Sequence, residues 1–141
     1  MMHAIMSLNY VAVVVTAITG FLIGWLWYSP LLFAKAWMAE MKFTEETMKE
    51  AAKQGMAKTM LTAFVFTVLM TFALAALVRA HGSAGWLAGA KLGGFVGAGL
   101  LATRMAVNNQ FEQRSWKLWA INAGHEVVMC VVAGAILAAW R

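Results

Sequence analysis

Residues 85–109, GWLAGAKLGGFVGAGLLATRMAVNN, restrict the fold more than any other stretch of the chain. The run is long enough for a bilayer core of ~30 Å, which a helix of ~20 apolar residues can cross. Within it Gly85, Gly89, Gly93 and Gly97 recur every fourth residue, and Ala90, Gly94, Ala98 and Ala102 make a second row of small residues beside them. One side of such a helix carries almost no side chain, so a second backbone can approach it closely, as in a glycine zipper. At about 100° per residue the same face goes on to carry Arg104 and Asn108. Arg104 is therefore expected to look inward, and an inward charge within an apolar span is a candidate for function.

Three more runs reach bilayer length, and the four spans are expected at residues 8–28, 59–78, 85–107 and 118–140. With 62% hydrophobic and 12% charged residues among 141, the composition excludes an ordinary water-soluble globule. The expectation is a single membrane domain: an all-α antiparallel four-helix bundle, with a short interfacial amphipathic helix between the first two spans. The net charge of +5 falls mostly in the connections, where it faces lipid headgroups, so no nucleic-acid partner is expected. Cys130 is the single cysteine and lies within the fourth run, which rules out an intrachain disulfide. The first run lacks a preceding Lys or Arg and is longer than a signal-peptide core, so it reads as a retained span.

The first span ends in Trp25, Trp27 and Tyr28, rings suited to the membrane interface. Its Gly20 and Gly24 repeat the four-residue spacing and make this helix the expected partner of the glycine face in the third. Beyond Pro30, the residues Phe33, Trp37 and Met41 fall at i, i+4 and i+8, the pattern of an amphipathic helix in the interface plane. Thr44 is placed to cap a second short helix, with Glu45 and Glu46 at its positive end and Gly55 at its close. In the second span Thr62, Thr67 and Thr71 can return their hydroxyls to the helix backbone. The turn from Arg79 to Ala84 is short enough to make the second and third spans antiparallel neighbours, with His81 in solvent.

The most chemically loaded segment is NNQFEQRSWK, residues 108–117. Asn108, Asn109, Glu112 and Arg114 cluster there, and Asn122, His125 and Glu126 follow on one face of the fourth span. Together with Trp25, Tyr28 and Arg104 they form the expected ligand-binding set. A carboxylate inside a span is costly unless paired, and Arg104 is the expected partner of Glu126. No catalytic residue, metal site or cofactor is assigned, because His125 has no second histidine at i+4 and no nucleophile motif is present.

The connection 29–58 holds five lysines, and Arg114 and Lys117 bring the count on that side to seven, against Arg79 and Arg141 on the other. The positive-inside bias then places both larger loops in the cytoplasm and both termini outside, in a bacterial inner membrane. Two segments, GWLWYSPLLFAKAW at 24–37 and NNQFEQRSWKLWAINAGHEVV at 108–128, carry a resemblance over nearly the full length. The chain resembles an uncharacterised bacterial membrane-protein family catalogued as domain of unknown function 1761. That resemblance implies a small four-span membrane protein and no activity. Two readings of function follow. One is a module that binds a small ligand or ion at its cytoplasm-facing polar cluster, as a carrier or channel component. The other is a non-catalytic structural or accessory protein whose polar residues satisfy one another. In either case the bilayer is the expected partner, and the small-residue faces allow a homo-oligomer.

Overall fold

The computed structural model describes residues 6–140, so Arg141, counted above for orientation, lies outside the described residues. All regular structure in it is helical. Asn9 caps α1 (Tyr10–Trp27), its Oδ1 accepting from the Ala12 amide at 3.1 Å. The chain then reverses over Pro30: the buried Ser29 hydroxyl donates to the Leu26 carbonyl at 2.7 Å, and the Phe33 amide donates back to the Trp27 carbonyl at 3.1 Å. This turn lays α2 (Ala34–Met41) against the end of the bundle, where Phe33 packs at a tilt on Trp27 and Trp37 meets Tyr28 edge-on, with centroids 4.7 and 5.7 Å apart. Lys42, with φ of 56°, ends α2 in the left-handed conformation. Thr44 and Thr47 exchange bonds in a capping box at the start of α3 (Glu45–Lys53). Gly55, at a φ of 113° that side chains disfavour, then turns the chain into α4 (Met56–His81). After α5 (Trp86–Phe111), Ser115 caps α6 (Trp116–Ala139) by accepting from the Leu118 amide at 3.1 Å.

Four of these helices, α1, α4, α5 and α6, are long and apolar enough to cross a membrane. They pack around α6, which touches each of the other three. One side of α6 offers Met129, Ala133, Leu137 and Ala138 to Ala12 and Val13 of α1 and to Leu74, Ala75 and Val78 of α4. The opposite side receives the glycine row of α5. Gly89 meets Gly134, Gly93 meets the backbone of Cys130, and Gly97 comes close to Val127.

The glycine face of the third span therefore seats on the fourth span and not on the first. Gly20 and Gly24 turn to α6 as well, where they leave room for Met129 and His125. Gly85 stands outside the row. With a φ of 80° it begins α5, and its amide donates to the Ala138 carbonyl at 3.2 Å. Although the turn between α4 and α5 is tight, each packs more on α6 than on the other, because the backbone-to-backbone fit draws α5 to Gly134. Thr62 and Thr67 return their hydroxyls to the Lys58 and Ala63 carbonyls, whereas Thr71, fully buried, has no acceptor among the described residues.

The middle of α5 is not α-helical. From Phe95 to Ala102 it widens into a π-helix, whose hydrogen bonds span one residue more per turn. The buried positions show the consequence: Gly89, Gly93 and Gly97 are four apart, but the next buried residue is Ala102, five further on, and then Asn109. Everything after the widened turn is shifted by one residue, or about 100° around the axis, from the α-helical extrapolation. Arg104 and Asn108, expected on the inner face, are thus exposed, and Met105 and Asn109 take their places. Carbonyls at the end of the π segment receive side-chain donors: the Thr103 hydroxyl donates to Gly99 at 2.7 Å, and the Trp119 indole of α6 donates to Ala102 at 3.0 Å.

Candidate functional site

Where α2 crosses the end of the bundle it roofs a cleft of about 610 Å³. The roof is Trp37, Met38 and Met41 from α2 with Met48 from α3. The floor is Tyr28, Met105, Asn108, Asn109, Leu118, Trp119 and Asn122, and Glu112 and Arg114 stand at the rim. The roof is held at its far end by Glu40. Its carboxylate accepts a hydrogen bond from the Ser115 hydroxyl and faces the Lys117 ammonium at 3.6 Å. Arg114 adds a contact of 3.0 Å to the sulfur of Met41. A segment that looks interfacial by its period is in this way turned inward by the Ser29 reversal and tied to the 112–117 turn.

The floor is set by α1 and α6. Trp27 lies over Gly124, where a methyl group would come within 3.2 Å of the ring, and its indole donates to the Ile121 carbonyl at 3.0 Å. The next residue, Tyr28, donates its hydroxyl to Asn122 Oδ1 at 3.0 Å. On the other wall the buried Asn109 donates from Nδ2 to the Arg114 carbonyl at 3.1 Å and so shapes the turn itself. Glu112 and Arg114 pair at 2.7 Å, which leaves the rim without net charge. The Asn108 side chain lines the cleft with no hydrogen bond among the described residues, and Asn122 Nδ2 is likewise uncommitted.

Six of the expected binding residues, Tyr28, Asn108, Asn109, Glu112, Arg114 and Asn122, meet around this cleft. Trp25, 73% exposed, points away from it. Arg104 is exposed and makes no ion pair with Glu126, because the π segment rotates it off the inner face. Glu126 bonds its own neighbour instead, with His125 Nδ1 at 3.2 Å from Oε1. These two residues line a separate cavity of about 260 Å³, between α1, α4 and α6, with Gly20, Phe66, Thr67, Met70 and Met129. Trp37, Trp119, Glu40 and the four methionines of the cleft are absent from the sequence-derived set. The α2 period and the repeated tryptophans of SWKLW were the available signals for the rings.

Helical in all the regular structure of the described residues, with four helices of membrane-spanning length, three of them packed on the last, the chain is of the small multi-span helical class. It belongs to the family described as DUF1761, protein of unknown function, which matches residues 11–138. No curated protein matches it, and no solved structure does.

Proposed function

We propose that the cleft under α2 binds a neutral amphipathic molecule, and that the chain serves as a small membrane binding module, acting alone or as a carrier component. The observation that carries this is the lining itself. Thioethers and aromatic rings from α2, α3, α5 and α6 surround a space of about 610 Å³, and the Asn108 side-chain amide and the Asn122 Nδ2, both uncommitted among the described residues, sit among them. Methionine and aromatic walls adapt to varied apolar shapes, and a few placed polar groups fix orientation. Because Glu112 and Arg114 neutralise each other, the ligand has no charge to match. The proposal includes the orientation read from the Lys and Arg distribution, with the cleft on the cytoplasmic side of a bacterial inner membrane.

The test is tryptophan fluorescence of the protein in lipid nanodiscs, titrated with glycerol monolaurate as a neutral single-chain probe. Saturable quenching is expected, weakened at least tenfold by Met105→Trp, which fills the cleft, or by Asn108→Leu. Absence of saturation, or equal affinity in both variants, would overturn the proposal. A second reading, the non-catalytic accessory protein, is favoured by the bonds Tyr28 to Asn122 and Asn109 to Arg114, which satisfy cleft groups internally. On that reading the same variants change stability and nothing is bound.

A further inference from the structure

Glu126 is placed where a carboxylate is least easily kept. Residues 116 to 126 put it ten positions into α6, or ~15 Å along a helix of ~36 Å, close to the middle of a bilayer core of ~30 Å. Its side chain is 31% exposed, and that exposure opens onto the cavity of about 260 Å³. Among the described residues its one polar partner is His125, and no Lys or Arg lies within ion-pair distance. From α1 the pair is faced by Gly20 and by the Trp27 and Tyr28 rings, with His125 at 6.1 and 5.4 Å from their centroids. From α4 it is faced by Phe66, Thr67 and Met70, none of them charged. Lys91 and Arg104 of α5 are exposed, and from α5 Gly97 comes close to the Glu126 carbonyl.

Towards an ionised Glu126, His125 Nδ1 carries the hydrogen, which leaves Nε2 as an acceptor. That atom is buried, without a partner among the described residues, and a methyl group at Gly24 would come within 3.2 Å of it. The imidazole is thus held by its neighbours and can orient the carboxylate, but it brings no full counter-charge in this tautomer. A carboxyl group in the middle of a membrane span with no Lys or Arg beside it is a candidate for function, and marks a place where a cation can supply the missing counter-charge.

The surroundings select what can arrive. A hard inorganic cation wants six or more oxygen ligands, and here only the carboxylate and the Thr67 hydroxyl supply oxygen. The remaining lining is the His125 imidazole, the Phe66 ring, two thioethers and a glycine. A carboxylate among apolar and aromatic groups recognises an organic ammonium, by charge and by attraction of the cation to a ring face. Phe66 is 65% exposed on the outer side of α4, so the cavity opens laterally between helices rather than through the loop-end cleft, with which it shares no residue. We propose that the cavity between α1, α4 and α6 is a binding site for a monovalent organic cation, with Glu126 as its counter-charge and Phe66, Met70 and Met129 as its apolar wall. This site is independent of the cleft under α2 and stands if that reading fails.

The probe is tetraethylammonium, added to the protein in nanodiscs and followed by the methyl resonances of 13C-labelled methionines. Met70 and Met129 are expected to shift and saturate together, while Met38, Met41 and Met105 stay fixed. Glu126→Gln should lower affinity at least tenfold, and Leu61→Ala, on the exposed side of α4, should leave it unchanged. Should Glu126→Gln fail to fold, Phe66→Leu on the outer surface supplies the second variant, with a several-fold loss expected. An uncharged molecule of the same shape, 3,3-diethylpentane, should not compete. Equal affinity in Glu126→Gln, or in Phe66→Leu where that variant stands in, or competition by the uncharged isostere, would overturn the proposal.

Discussion

Replacing Gly93 by alanine is expected to loosen the bundle, while the same change one residue later, at Gly94, is not. A methyl group at Gly93 would stand 2.7 Å from the carbonyl carbon of Cys130 and 3.2 Å from Val131 Cα, with the Cys130 oxygen nearer still. Carbon atoms rest at ~3.5–4.0 Å, so α5 and α6 would have to part by roughly 1 Å at this level. Both sides of the contact are backbone, and neither can step aside as a flexible side chain would. The separation also pulls on Gly89 against Gly134 and on Gly97 against Val127, one turn to either side. A radial gap of that size forfeits roughly a quarter to a half of each contact's attraction. Overpacking of this kind costs ~1–3 kcal/mol, and the upper end is expected here because the obstacle is rigid. Alanine's better helix propensity returns up to ~1 kcal/mol, leaving a net loss of ~2 kcal/mol. At Gly94 the added methyl would lie 3.4 Å from Val131 Cγ2, a side-chain contact close to ordinary. There the propensity gain is uncompensated, and the variant should be neutral or more stable by up to ~1 kcal/mol. Reversible unfolding in mixed micelles with increasing sodium dodecyl sulfate, followed by far-ultraviolet circular dichroism, measures both. Equal midpoints, or a larger loss at Gly94, would refute the placement of the glycine row against α6.

Trp119→Phe removes the indole donor to the Ala102 carbonyl and is expected to cost ~1–3 kcal/mol in the same unfolding assay, where Thr103→Val should cost only ~0.5–1.5 kcal/mol. Ser115→Ala loses both the α6 cap and the bond to Glu40, so a loss of ~1–2 kcal/mol is expected, with faster proteolysis between residues 42 and 55 than in wild type. Reporter fusions should show Lys49 and Arg114 on the cytoplasmic side and the His81 turn opposite; a periplasm-active reporter working at Lys49 would invert the proposed orientation and move the cleft to the other face.

The four long helices and the small-residue face of the third could be read from the sequence because both rest on one-dimensional regularities, an apolar run and a spacing of four. The partner of that face could not. Gly124 and Gly134, which make α6 the central helix, sit in a run whose hydropathy looks like that of any other span. The error at Arg104 has one cause: extrapolation at 3.6 residues per turn passes Gly97 to Leu101 and Arg104, whereas the π segment passes it to Ala102 and Met105. A hint lay in Ala102 itself, the small residue five after Gly97. The cleft residues of 108–122 were found because they are close in sequence. Trp37 and Met41 join them only through the Ser29 reversal, a tertiary event that their i, i+4 spacing could not announce. His125 and Glu126, expected on one face of the fourth span, do bring their side chains together, with Nδ1 3.2 Å from Oε1, but in a cavity apart from the cleft.

The central claim is that the space under α2 is a binding cleft and not a fold-stabilising gap. The methionines provide internal probes, since Met38, Met41, Met48 and Met105 line it and Met60 lies exposed on α4. In nanodiscs with 13C-methyl methionine, titration with glycerol monolaurate should shift the four cleft resonances along one saturating curve and leave Met60 in place. Shifts of equal size at Met60 and the cleft methionines, or none at saturating probe, would contradict it.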